Sequence, residues 1–244
     1  LGKNIFVAGA TGAIGRRLVP MLVEAGHRVT GTTRSSEKVE ALKRAGVKPA
    51  VVDVFDAMAL RSAVQDADPE IVIHQLTDLA LFLDATKRAE ALERNARLRI
   101  EGTANLVAAA LMAGASRLIA QSISFAYAPG KKPYRESDPL YLDAPGTRGV
   151  SVGGVAALER EVTHTPGLEG LVLRYGWLYG PGTGADKPFE HGSVHVDAAA
   201  YAALLAVERG RPGIYNVAEA DGTVAIDKAR AELGFDPAFR AANS

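Results

Sequence analysis

The chain has 244 residues, 48% of them hydrophobic and 23% charged, which is enough apolar mass to bury the core of one α/β domain with a small appendage. Lys plus Arg and Asp plus Glu are 28 each, so no global field draws the chain to nucleic acid or to an anionic membrane. The absence of cysteine excludes disulfides, thiolate catalysis and thiolate-held metal, and the five histidines form no HExxH-type pair, so no metal is expected.

In chain order, Ile5–Ala8 reads as a buried strand that runs into a glycine-rich turn. A helix over Ala13–Ala25 follows and Gly26 stops it. Arg28–Thr33 is a second strand, and Ser36 is the N-cap of a helix ending near Ala45–Gly46. Ala50–Val52 is a short strand, Asp56–Gln65 a helix and Ile71–His74 a strand. A long helical stretch covers Thr86–Ala113, Gly114 closes it, and Arg117–Gln121 is the next strand. Beyond Ser124 the pattern loosens. Ala128–Gly149 reads as loop, Val152–Thr163 as helix, Gly170–Tyr175 as strand and Gly176–Gly192 again as loop. Asp197–Glu208 is helical, Ile214–Val217 a strand and Asp227–Leu233 a short helix. Strands alternating with helices predict right-handed crossovers and a doubly wound parallel sheet, a Rossmann fold, with no repeat or linker to divide residues 1–244.

The richest segment is the turn after the first strand. Gly9 permits a tight turn, Gly12 lets backbone approach a pyrophosphate, and Gly15 lets the helix pack on the strand. Thr11, Ala13 and Ile14 complete the loop, where the helix N-terminus offers N–H groups and partial positive charge to phosphates. At the end of the second strand an acid would favour NAD(H), but Thr32-Thr33-Arg34-Ser35 contains none. Arg34 and Ser35 suit a 2′-phosphate, with Arg16 beside them, so NADP(H) is the preferred cofactor and NAD(H) the alternative. The competing reading is a solvated Arg34. Asp53, followed by Val54, is placed to meet the adenine amino group or to cap the next helix.

These segments resemble the extended short-chain dehydrogenase/reductases, the NAD-dependent epimerase/dehydratase group. The resemblance is carried by Gly9-Ala-Thr-Gly12-Ala-Ile-Gly15, Val52-Asp53, Ile71-Val-Ile-His74, Glu101-Gly102-Thr103, Ser122-Ile-Ser124-Phe-Ala-Tyr127, Leu178-Tyr179-Gly180-Pro181-Gly182 and His195-Val196-Asp197. It implies that His74, Gln75, Leu76 and Thr77 line the cofactor's ribose and phosphates. It also places Ser122 and Ser124 beside the nicotinamide, and Arg174 through Tyr179 between cofactor and substrate. The departures are as informative. The family's chemistry rests on a Tyr and a Lys four residues later, and alignment puts Ser151 and Val155 there; Arg99 replaces the Asn that supports the Lys. The family's substrate lobe is reduced to segments near 176–194 and 218–244.

Ser124 is a candidate to orient a substrate carbonyl, or a residue that satisfies backbone at a strand end. Tyr127 is a candidate phenol for the site, or a packed aromatic with its hydroxyl bonded elsewhere. The leading expectation is an atypical NADP(H)-dependent oxidoreductase acting on a small carbonyl or quinone-like molecule. The alternatives are a non-catalytic NADP(H) sensor and an epimerase or dehydratase with a different acid–base residue. A small-molecule substrate, no nucleic acid, no membrane, a monomer or homodimer and a cytoplasmic location complete the expectations.

Overall fold

The computed structural model describes residues 2–78 and 85–241. The last three residues of the expected 218–244 segment lie outside that range. Strands β1 (Asn4–Ala8), β2 (Arg28–Thr33), β3 (Lys48–Val51), β4 (Ile71–His74), β5 (Arg117–Ile123) and β6 (Glu169–Tyr175) appear in turn. Two short strands follow, β7 (Trp177–Tyr179) and β8 (Ser193–His195), then β9 (Gly213–Val217). The main sheet is parallel throughout, with order β3-β2-β1-β4-β5-β6-β9. The chain winds outward from β1 to β3, returns to β4 and winds the other way. A crevice therefore opens at the carboxyl ends of β1 and β4.

The helices are α1 (Gly15–Glu24), α2 (Val39–Arg44), α3 (Ala57–Gln65), α4 (Arg88–Arg97), α5 (Thr103–Met112), α6 (Thr147–His164) and α7 (Val196–Glu208). The strand pleat divides the core into two layers. Ile5, Val7, Ile71, Ile73, Ile119, Leu171 and Leu173 face α1 and the alanine-rich α7. Phe6, Val72, Leu118, Ala120 and Val172 face α3, α5 and α6, where they meet Leu60, Leu106, Leu158 and Val162. Both faces being covered explains why these strands read as apolar runs.

Four elements differ from the sequence expectation. The stretch over 86–113 is interrupted by a π-type turn at Leu98–Gly102, between α4 and α5. Helix α6 starts at Thr147, five residues before the expected Val152, because Gly146 at φ 60° turns the chain into it. Ser36 opens a 3-10 turn without a side-chain cap, whereas Asp56 caps α3 by accepting from the Ala59 N–H at 3.0 Å. The 176–192 segment holds β7, which pairs with β8. The loop at 128–149 is pinned: the Tyr134 N–H donates to the Thr223 carbonyl at 3.0 Å, and the Ala225 N–H donates to the Tyr134 carbonyl at 2.7 Å. Among the described residues no helix is long and apolar enough to cross a membrane.

Candidate active site

A cavity of about 1080 Å³ opens at the carboxyl end of the sheet. Its floor is the glycine turn. Gly9 lies at φ 91°, and a Cβ there would stand 2.7 Å from the Gln75 backbone. A Cβ on Gly15 would stand 2.2 Å from the Gly9 carbonyl, so Gly15 serves the close helix–strand contact and does not line the cavity. Gly12 differs from both: a Cβ there meets only the Gly9 oxygen, at 3.4 Å, and otherwise faces open cavity. The N–H groups of Thr11, Ala13 and Ile14 have no hydrogen-bond partner among the described residues, and all three residues line the cavity. Free N–H groups at the start of α1 form an anion cradle.

Arg34, Ser35 and Lys38 line the cavity beyond β2, and Arg16 lines it with its guanidinium beside Gly182. Thr33 fixes the Ser35 turn, its hydroxyl accepting from the Ser35 N–H at 3.1 Å. Arg34 is half exposed and 4.0 Å from the Asp78 carboxylate. Arg94 already holds that carboxylate through Nη2 at 2.8 Å and Nε at 3.1 Å. Asp53 and Val54 line the same end. Asp53 accepts from the Phe55 N–H at 3.0 Å in a local turn and leaves the capping of α3 to Asp56.

Opposite the glycine turn, β4 delivers His74, Gln75, Leu76 and Thr77; the last three line the cavity. His74 is a scaffold. The Leu76 N–H donates to its Nδ1 at 3.2 Å, so Nε2 carries the proton and donates to Thr103 Oγ1 at 3.0 Å. Burial, aided by the nearby Arg99 charge, lowers its pKa to about 4 and keeps the ring neutral. Gln75 donates to the Tyr175 hydroxyl at 3.4 Å, while its buried Oε1 has no partner. A cradle left open by Gly12, three free N–H groups, a cationic rim and an orphaned buried acceptor together fit a phosphorylated dinucleotide.

Besides Gly15, two of the cofactor candidates, Ser122 and Arg174, and both catalytic candidates, Ser124 and Tyr127, are placed differently. Ser122 and Arg174 do not line the main cavity; the pleat turns both toward α6. Glu159 there accepts from Ser122 Oγ at 2.8 Å, from Arg174 Nε at 2.8 Å and from Arg174 Nη2 at 2.7 Å. Arg174 Nη1 donates to the Tyr127 hydroxyl, which donates in turn to Asn216 Oδ1, both at 2.7 Å. Tyr127 is thus the packed aromatic of the two readings, and burial raises its pKa further from use as an acid. Its ring and Ser124 line a separate cavity of about 320 Å³. Gln121 and Ile123, the neighbours of Ser122 on β5, line the main cavity instead, with Phe125, Trp177 and Phe189. Phe125 and Trp177 stack at 3.7 Å and separate the two cavities.

At the family's acid–base positions, Val155 is wholly buried and Ser151 lines the cavity. Sequence reasoning noted Arg99 only as a replaced Asn. In the structure Arg99 is buried in the cavity wall, and its Nη1 donates to Ser151 Oγ at 3.2 Å.

A family model described as NAD(P)H-binding matches residues 9–206. The chain is 44% identical over 237 residues to a 3-diazoavenalumate denitrifying reductase from a Streptomyces species, a match covering 88% of this chain and 76% of that protein. It is 30% identical over 177 residues to a dTDP-4-dehydrorhamnose reductase of Streptomyces griseus, covering 72% of this chain and 50% of that protein. Among solved structures it is similar to a UDP-glucose 4-epimerase of Thermotoga maritima, with TM-score 0.78, 20% identity, and 97% of this chain and 94% of that one covered. The chain belongs to the NAD(P)H-binding family, as an NAD(P)-binding oxidoreductase. The epimerase likeness speaks to the fold alone.

Proposed function

We propose that this protein is an NADP(H)-dependent reductase of a small planar acceptor, quinone-like or diazo, whose reduction needs no Tyr/Lys proton relay. The carrying observation is the wall at the family's acid–base positions. It offers Ser151 and Arg99 to the cavity and buries Val155, so no side chain there works as a tuned proton donor. When bound, the reduced nicotinamide supplies a hydride. An aryl diazonium cation that gains a hydride leaves as the arene and N2, with charge balanced and no proton consumed. The name of the Streptomyces relative points to a diazo substrate of that kind.

The chain's own contribution is binding and orientation. Thr11, Gly12, Ala13 and Ile14 hold the pyrophosphate, and Arg34 with Ser35 holds the 2′-phosphate that distinguishes NADP(H), helped by Arg16 and Lys38. Asp53 and Val54 take the adenine end, and Gln75, Leu76 and Thr77 the ribose. Phe125, Trp177 and Phe189 give a flat apolar wall against which an aromatic ring stacks. The segments at 176–194 and 218–241 act as a reduced substrate lobe, too short to clamp a nucleotide sugar.

The test is NADPH oxidation by purified protein with naphthoquinone, 4-carboxybenzenediazonium and methylglyoxal, beside a separate incubation of UDP-glucose with NAD+ or NADP+ in which UDP-galactose is sought. Turnover with the first two acceptors and no UDP-galactose are expected. NADPH binding without turnover of any acceptor would point to a sensor instead, and rapid formation of UDP-galactose to an epimerase.

A further inference from the structure

Arg99 sits on the π-type turn Leu98–Gly102, an irregularity common at functional sites. It is only 7% exposed and lines the main cavity. One of its three nitrogens is engaged: Nη1 donates to Ser151 Oγ at 3.2 Å and to the Ser151 carbonyl at 3.4 Å. Nε and Nη2 have no acceptor among the described residues.

Among the described residues the charge is unmatched as well. The acid that Arg99 senses is Glu159, whose two oxygens are taken by Arg174 and Ser122. The other buried acids are committed elsewhere, Asp78 to Arg94 and Asp197 to Arg17. His74, the neighbouring titratable group, is neutral. Among the described residues, two buried guanidiniums thus share one buried carboxylate, and Arg174 has it. Burial lowers the Arg99 pKa to about 10, so the group stays cationic at neutral pH. An unpaired buried charge is costly unless an anion meets it, and a free Nε/Nη2 edge is the geometry that accepts an oxyanion through two parallel bonds.

We propose that Arg99 anchors an anionic group of the substrate, a carboxylate or phenolate oxygen, and so selects anionic aromatic acceptors over neutral ones. This deepens the reductase reading and rests on it. The cofactor's phosphates have their own cradle at the glycine turn and their own cationic rim at Arg34. Arg99 leans instead on Ser151 in the first turns of α6, away from both.

The sole tryptophan, Trp177, lies in the wall of the same cavity and reports on occupancy. NADP-loaded protein is titrated with cinnamate and with cinnamamide, which differ in charge and little in shape, and Trp177 fluorescence is followed. In wild type, cinnamate is expected to bind at least about tenfold more tightly, the scale of one charge-assisted contact. Arg99→Gln is expected to erase that preference and Arg99→Lys to keep part of it, with NADPH affinity unchanged in both. Equal affinity of wild type for the two probes, or none for either, overturns the proposal without any variant. Equal losses of NADPH and cinnamate affinity in Arg99→Gln overturn it too, by assigning Arg99 to the cofactor. Turnover plays no part in these readouts, so a failure of the reductase reading appears separately, as cinnamate selectivity without NADPH oxidation.

Discussion

Two polar clusters lie at the carboxyl end of the sheet, and they do opposite things with their hydrogen bonds. Around the glycine turn, N–H groups that line a cavity and the buried Gln75 Oε1 are left without partners among the described residues. Around Glu159, the donors of Ser122, Arg174 and Tyr127 are spent on one another and on Asn216, and the cluster is closed. Unspent hydrogen-bonding capacity marks the surface prepared for a ligand, and spent capacity marks scaffold. A strand pleat separates the two: on β5, Gln121 and Ile123 face the cavity while Ser122 faces α6. Arg99 is the exception that joins them, a residue beside the closed cluster whose remaining donors are open.

The closed cluster is broken most severely by Glu159→Gln, which strands the Arg174 charge in the interior. A loss of about 3–5 kcal/mol is expected, and a melting temperature lower by roughly 6–20 °C, with NADPH affinity of the remaining folded protein unchanged. Calorimetry and cofactor titration check both halves; weakened cofactor binding in a stable variant would erase the distinction between the clusters.

The next effect is pH-dependent. The unfolded chain protonates His74 below its ordinary 6.5, whereas the folded protein does so only near 4. Between those values the unfolded state binds more protons, so stability falls as pH drops through that window and is flat above it. The full loss is on the order of 3 kcal/mol. Denaturant titrations across the window measure it, and His74→Gln should flatten the acid limb.

At the open cluster, Gly12→Val should leave the fold intact, because a Cβ there meets only the Gly9 oxygen at 3.4 Å. The side chain fills the phosphate's space, and a loss of at least about 100-fold in NADPH affinity is expected. Gly15→Val is the sharpening control, since its Cβ would collide with backbone at 2.2 Å and should unfold the turn. The smallest effect belongs to Arg34→Ala, which should lower the preference for NADPH over NADH by about tenfold, read by titrating both cofactors.

Much of the open cluster was legible in the sequence, because glycine spacing after a strand and the missing acid at Arg34 are local signals. The closed cluster was not, since it depends on which way each side chain leaves the sheet. Ser122 and Arg174 were expected beside the cofactor. The period-two alternation that puts Ile119 and Leu171 in one core layer and Leu118 and Val172 in the other already turns them toward α6. Strand β7 escaped detection because it is three residues long and its partner β8 is fourteen residues away, with glycines and prolines between. Arg99 registered only as a departure from a family pattern. Its role needs the π-type turn, which no hydrophobic periodicity announces.

The central claim is that this cavity moves a hydride without a proton relay, and isotope tracing tests it most directly. NADPH deuterated at the transferring carbon is incubated with the protein and 4-carboxybenzenediazonium, whose carboxylate suits Arg99, and the arene is weighed by mass spectrometry; the reaction is repeated with unlabelled NADPH in heavy water. Deuterium in the arene from the labelled cofactor, and none from the solvent, is the expected result. Deuterium from heavy water, or an arene that forms at the same rate without the protein, would contradict it.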